Sequence, residues 1–149
     1  MTGVQTCALP ILGGTSAPTV ACDVTGAVLA SSSVKSSSPS AGIGYATGAG
    51  GTVTQATSRS TGVTVNAVCG TITLVSAAGS ATPATFTVTN SSVSANDVVH
   101  LCQASGIDKY IISVTFLTAG SFDVTFYTTG GTTTEQPVFN FVVIKGVTS

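Results

Sequence analysis

Tyr110-Ile-Ile-Ser-Val-Thr-Phe-Leu117, Phe122-Asp-Val-Thr-Phe-Tyr-Thr128 and Val138-Phe-Asn-Phe-Val-Val-Ile-Lys145 are three β-branched and aromatic runs separated by short turn signals. In the first two, Ile112, Val114 and Phe116, and then Phe122, Val124 and Phe126, recur at a period of two. That is the spacing of one face of a strand, so these six side chains are expected to point inward, with Ser113, Thr115, Asp123 and Thr125 on the opposite face. Ala119-Gly120 and Gly130-Gly131 supply the turns, because glycine takes positive φ without a Cβ clash. The expected arrangement is an antiparallel meander at the heart of a β-sandwich.

Upstream, Thr71-Ile-Thr-Leu-Val75 places Ile72 and Leu74 inward, and Ala84-Thr-Phe-Thr-Val-Thr89 places Phe86 and Val88 inward with threonines outside. Val53 and Val63-Thr-Val65 open this series, and Asp97-Val-Val-His-Leu-Cys102 follows a longer loop from Asn90 to Asn96. Ser94 to Asp97 could form one helical turn. Short alternating strands with turn signals between them, and no helical periodicity, predict an all-β fold. The expected form is an antiparallel two-layer β-sandwich of immunoglobulin-like or jelly-roll type over residues 52–149. Val138, Val142 and Ile144 oppose Phe139, Phe141 and Val143, so the last run is apolar on both faces. A central strand, or one covered by a partner chain, has that pattern.

The 149 residues suffice for one domain with a core. Only 6% of them are charged, the net charge is -1, and four Lys and Arg are scattered along the chain. A nucleic-acid footprint needs clustered cations, so no nucleic-acid partner is expected. The mean hydropathy of +0.54 comes from Ala and Val among Ser, Thr and Gly. No run approaches the roughly 20 apolar residues that span a bilayer, so no membrane insertion is expected.

Residues 12–51 are rich in Ser, Gly and Thr and read as a linker or the end of a β-stalk, with Thr19–Val24 and Ala27–Ala30 as short strand candidates. Residues 1–11, Met-Thr-Gly-Val-Gln-Thr-Cys-Ala-Leu-Pro-Ile, resemble the translation of a short-read sequencing adapter. They are set aside from fold reasoning, with the natural start expected upstream.

No catalytic, cofactor or metal residues are assigned. His100 is the single histidine, and no G-x-S-x-G elbow accompanies it for nucleophilic chemistry. With Cys22, Cys69 and Cys102 it would complete a Cys3His set for zinc, but no two of these cysteines have the close spacing of a zinc knuckle. Cys69 and Cys102 read instead as small buried hydrophobes, with pairing left open. Asp97, Asp108, Asp123 and Glu135 are isolated in sequence. Asn96, Asp97 and Asp108 have the chemistry for calcium, and their plainer role is to cap turns. Asn90-Ser-Ser92 matches a glycosylation sequon, a pattern frequent by chance in a Ser-rich chain. A Lys–Asn isopeptide from Lys145 or Lys109 would need a buried neighbouring Asn, and Asn140 lies in the same strand as Lys145.

Gly44-Tyr-Ala-Thr-Gly-Ala-Gly-Gly-Thr-Val-Thr-Gln55, Ser60-Thr-Gly-Val-Thr-Val-Asn66, Gly70-Thr-Ile-Thr-Leu74 and Phe139-Asn-Phe-Val-Val-Ile-Lys-Gly146 together resemble the C-terminal β-domain of bacteriophage and prophage structural proteins, where it follows repetitive stalk segments. The resemblance runs from about residue 42 to the end. It implies a non-enzymatic virion protein, the distal domain of a tail or head fibre or a decoration protein. By the same resemblance it would be a homo-oligomer, favoured as a trimer, that meets other virion proteins or a host surface glycan. Gly50, Gly51, Thr54 and Gln55 match this pattern and read as a tight turn entering the first strand. A bacterial surface adhesin or carbohydrate-binding module is the second reading, and it needs two of Tyr45, Tyr110 and Tyr127 side by side on the surface. A small hydrolase is the third, and it needs His100 beside a carboxylate and a hydroxyl in a cleft.

Overall fold

The computed structural model describes residues 31–36, 39–40 and 42–147. The strand candidates at Thr19–Val24 and Ala27–Ala30, together with Cys22 and residues 1–11, lie outside the described residues. The chain divides at Ile43/Gly44 into two units. In the first, the described residues form no strand.

The second unit contains ten strands: β1 (Gly50–Thr54), β2 (Val63–Thr64), β3 (Cys69–Thr73), β4 (Ala77–Ala78), β5 (Ala84–Thr89), β6 (Val98–Ser105), β7 (Tyr110–Thr118), β8 (Ser121–Thr128), β9 (Thr134–Glu135) and β10 (Val138–Ile144). They form a first sheet in the order β1-β3-β10-β6, a second in the order β2-β5-β8-β7, and a small β4-β9 ribbon. The two larger sheets pack as layers of an all-β sandwich. Two pairings depart from the antiparallel expectation, since β1–β3 and β2–β5 are parallel. Both follow from a chain that leaves β1, crosses to the other layer for β2 and returns for β3, so each edge strand enters in its neighbour's direction.

Alternation fixes which side chains fill the space between layers. Ile72, Leu74, Phe86, Val88, Phe122, Val124, Phe126, Phe139, Phe141 and Val143 are all buried, as their period of two requires. Each such large side chain contributes about 1.5–3 kcal/mol when fully buried. Aromatic contacts join the layers: Phe126 meets Phe139 edge-on at 5.6 Å between ring centroids, Tyr110 meets Phe139 at 5.6 Å, and Phe122 meets Phe141 at 6.2 Å. The outer face of the second sheet is closed by hydroxyls bonding one another. Thr125 Oγ1 lies 2.7 Å from Thr85 Oγ1 and 2.8 Å from Thr115 Oγ1, and Thr87 donates to Asp123 Oδ1 at 2.7 Å.

The closing meander needs correction. β7 and β8 do form an antiparallel hairpin, but β10 does not continue it; the chain crosses through Gly130 and β9 to the first sheet, where β10 lies between β3 and β6. The crossing accounts for one of the last run's two apolar faces; on the other, Ile144 is 57% exposed. Phe139, Phe141 and Val143 face β8 across the core, and β10 is a central strand. Phe116 also departs from expectation. The register shifts between Val114 and Phe116, and the extra residue turns Phe116 outward to 59% exposure while Leu117 takes the place opposite Phe122.

Gly50 and Gly51 are inside β1, and the turn lies earlier, at Gly48 (φ 98°). The glycine row has a packing reason. Gly51 pairs with Gly70, and Gly70 with Phe141 on its other side. Residues 94–97 make a single turn closed by Asp97 N–H on Ser94 O at 3.1 Å, without a helix.

A candidate site at the loop end beside Arg59

The crossover from β1 to β2 carries Arg59 over the end of the sandwich, between the β3–β5 connection and the start of β7. Gln55, buried just after β1, shapes this loop. Its side-chain amide donates to Arg59 O at 3.1 Å and Thr61 O at 2.9 Å, and its Oε1 accepts from Val75 N. The guanidinium then places every N–H it has. Nε donates to Val75 O (3.2 Å), Nη1 to Ala78 O (3.3 Å) and the Tyr110 hydroxyl (3.0 Å), and Nη2 to Ala77 O (2.6 Å) and Glu135 O (2.8 Å). Its five donors are thus consumed by four backbone carbonyls and one phenol. The guanidinium carbon also sits 5.6 Å from the Tyr110 ring centroid.

Tyr110 and Glu135 extend the network. The phenol donates to Glu135 Oε1 at 3.1 Å, and burial pushes its pKa above the ordinary phenol value, against the pull of Arg59. Glu135 in turn accepts the backbone N–H of Asp108 at 3.0 Å and that of Ile107, closing the β6–β7 loop. Asp108, also buried, accepts from Thr133 N at 2.9 Å, and its carboxyl fills space left by Gly79 and Gly131. Asp108 and Glu135, isolated in sequence, therefore meet in one corner, where backbone N–H groups occupy both carboxylates.

Against the Arg59 network lies a cavity of about 360 Å³. Val75, Ala77, Ala78, Ala84, Phe126 and Tyr110 supply its apolar surface, and Thr57, Ser58, Ser76 and Ser80 supply hydroxyls.

The residues singled out in the sequence are dispersed. His100 and Cys102 lie on the outer face of β6, an edge strand, and both are exposed; His100 faces Val142. Cys69 is half-buried on the outer face of β3, so neither cysteine is the buried hydrophobe expected. β10 runs between their strands, and two strand spacings of roughly 4.8 Å exceed the roughly 7 Å that a disulfide spans. Asp97 and Asp108 flank opposite ends of β6, and among the described residues no group of three His, Cys, Asp or Glu gathers for a metal. Asn90 is fully buried, with its amide on Ala67 O at 2.7 Å and its Oδ1 accepting from Ser92 N, so the sequon is closed off in the folded chain. Tyr110 is buried, Tyr127 lies on the second sheet's outer face, and Tyr45 donates to Val143 O of the first sheet. The tyrosines are not side by side.

Lys145 bonds the buried Asp97 carboxylate and also Ser92 O at 2.8 Å, away from Asn140. The Lys145 hydrogen bond, helped by N–H donors from Ser94 and Gly146, holds the Asp97 pKa down to about 2. This lies below an unfolded value near 3.9, so the pair's contribution is whole above about pH 4 and is lost as pH falls through about 2. Wild type should accordingly lose more stability than Asp97→Asn between about pH 4 and pH 2 in urea titrations. Equal losses in the two proteins would contradict the pairing.

The sequence gives little warning of the Arg59 site. One signal was present: an arginine amid Thr57, Ser58, Ser60 and Thr61, in a chain with only four Lys and Arg, needs acceptors from somewhere. Comparison of the chain with models of protein families, with curated proteins and with solved structures finds no match.

Proposed function

We propose that this chain is a non-enzymatic virion structural protein, the distal domain of a phage tail or head fibre or a decoration protein, acting in assembly and host-surface attachment. The carrying observation is the outer face of the first sheet. Across Thr52, Thr71, Asn140, Val142, Ile144, Val98, His100 and Cys102 it bears no Lys, Arg, Asp or Glu side chain, and Val98 and Ile144, paired across β6 and β10, are 59% and 57% exposed. A face without Lys, Arg, Asp or Glu sets no full-time charge against its copy and leaves apolar area for identical copies to cover. The second sheet's outer face differs in carrying the Asp123 carboxylate, although Ile111 and Phe116 are exposed on it as well.

The placement of the polar groups supports a structural role. Arg59, Glu135, Asp108, Asn90 and Asp97 each spend their hydrogen bonds on backbone, on Tyr110 or on Lys145. The reading also draws on the resemblance carried by Gly44–Gln55, Ser60–Asn66, Gly70–Leu74 and Phe139–Gly146. Sedimentation of the chain tests the assembly part: a homo-oligomer, a trimer first, is expected, and a stable monomer at micromolar concentration would contradict it. The adhesin alternative gains nothing from the tyrosines, which lie apart.

A further inference from the structure

We infer that the cavity beside Arg59 is a subsite for a single uncharged sugar residue of a surface glycan, an inference that rests on the attachment part of the reading above. Its size, about 360 Å³, falls at the lower end of the roughly 300–1,000 Å³ typical of small-molecule sites. The chemistry of the lining selects the class. Val75, Ala84, Tyr110 and Phe126 offer an apolar surface to the C–H face of a pyranose ring. At the rim, the Thr57 and Ser76 hydroxyls bond no other described residue, and Ser80 Oγ only accepts, from Thr82 N at 3.1 Å, so its proton is free to be donated. Three hydroxyls, each a donor and an acceptor, line the cavity together with its apolar residues. They match a ligand whose own edge is a row of hydroxyls.

The same geometry argues against a charged ligand. Arg59 is the cation in the wall, and its five N–H groups are already placed on Val75 O, Ala77 O, Ala78 O, Glu135 O and Tyr110. A carboxylate or phosphate entering the cavity would find no unoccupied guanidinium donor and would have to displace bonds that hold the loop. The site therefore offers an anion no charge-assisted hydrogen bond, and what attracts one is only the charge of the guanidinium at its edge.

The experiment is amide chemical-shift titration of the full chain with the methyl glycosides of glucose, galactose and N-acetylglucosamine, and with methyl glucuronide as the anionic counterpart. The expected result is saturable shifts at Ser76, Ala77, Ala78 and Ser80 for at least one neutral glycoside, and no tighter binding of the glucuronide. Ser76→Trp, which fills the mouth from an exposed position, should abolish the shifts without changing the thermal midpoint. Thr57→Val, a smaller change, should weaken binding severalfold. No saturable shift with any neutral glycoside, shifts confined to another surface, or tighter binding of the glucuronide would each overturn the inference. Failure here is distinguishable from failure of the wider reading. If the chain sediments as the expected oligomer yet no neutral glycoside gives a saturable shift, the cavity is excluded and the assembly role stands. A stable monomer removes the assembly reading whatever the titration shows.

Discussion

Arg59→Ala should destabilise the fold by about 3–5 kcal/mol, a large effect for a residue outside the core. Hydrogen bonds to a charged group are worth about 1.5–3 kcal/mol each, and the truncation strands Val75 O, Ala77 O, Ala78 O and Glu135 O together. Water can reach some of these carbonyls, so the sum over five bonds is not realised in full. Losing two or three that water does not replace accounts for the range. Arg59→Lys separates geometry from charge. A single ammonium has three donors on a point charge and cannot span acceptors from the β3–β4 segment, β9 and Tyr110 at once, so about 2 kcal/mol of the loss should remain. Urea unfolding of both variants reads these values. An alanine variant within about 1 kcal/mol of wild type would mean that the network contributes little to holding the loop end together.

Gly70→Ala should cost at least about 3–5 kcal/mol, or prevent folding. A Cβ at Gly70 would stand 1.9 Å from Gly51 O, a backbone atom with no rotamer through which to escape, and Gly70 has φ at 155°. Relief requires β1 to part from β3, which undoes a five-residue parallel pairing. On the inner face, Phe141 occupies the strand beside this pair of glycines, so a shift there also disturbs its contact with Phe122. The test is soluble yield and thermal midpoint beside Gly120→Ala as a control. Gly120 also has positive φ, at 84°, but a Cβ there meets nothing within 4 Å. Similar outcomes for the two would show that φ strain alone, and not the overlap, governs Gly70.

These two sites mark where reading the sequence stops. Period-two alternation found Ile72, Leu74, Phe86, Val88, Phe122, Val124 and Phe126 because burial on one face of a strand is a local property. It misplaced Phe116 because a bulge adds a residue without any signal in the alternation itself. It could not send β10 to the other layer, since Gly130-Gly131 is compatible with a tight hairpin and with a crossover alike. The doubly apolar character of Val138–Ile144 pointed to a central strand, which it is, but not to which sheet. The polar corner was less legible still. Arg59, Tyr110 and Glu135 are separated by 51 and 25 residues along the chain, and only the folded topology brings them together. Glu135 looked isolated for that reason, and nothing in the alternation that turns Tyr110 inward with Ile112 names the partners of its hydroxyl.

Sedimentation of Ile144→Lys beside Thr89→Lys tests most directly the claim that this chain works by assembling through the uncharged face of its first sheet. Both substitutions add one positive charge at an exposed strand position, one on that face and one on the hydroxyl face of the second sheet. The account predicts that wild type and Thr89→Lys sediment as the same oligomer while Ile144→Lys dissociates to monomer. An oligomer that survives Ile144→Lys, or one that Thr89→Lys disrupts equally, would contradict it.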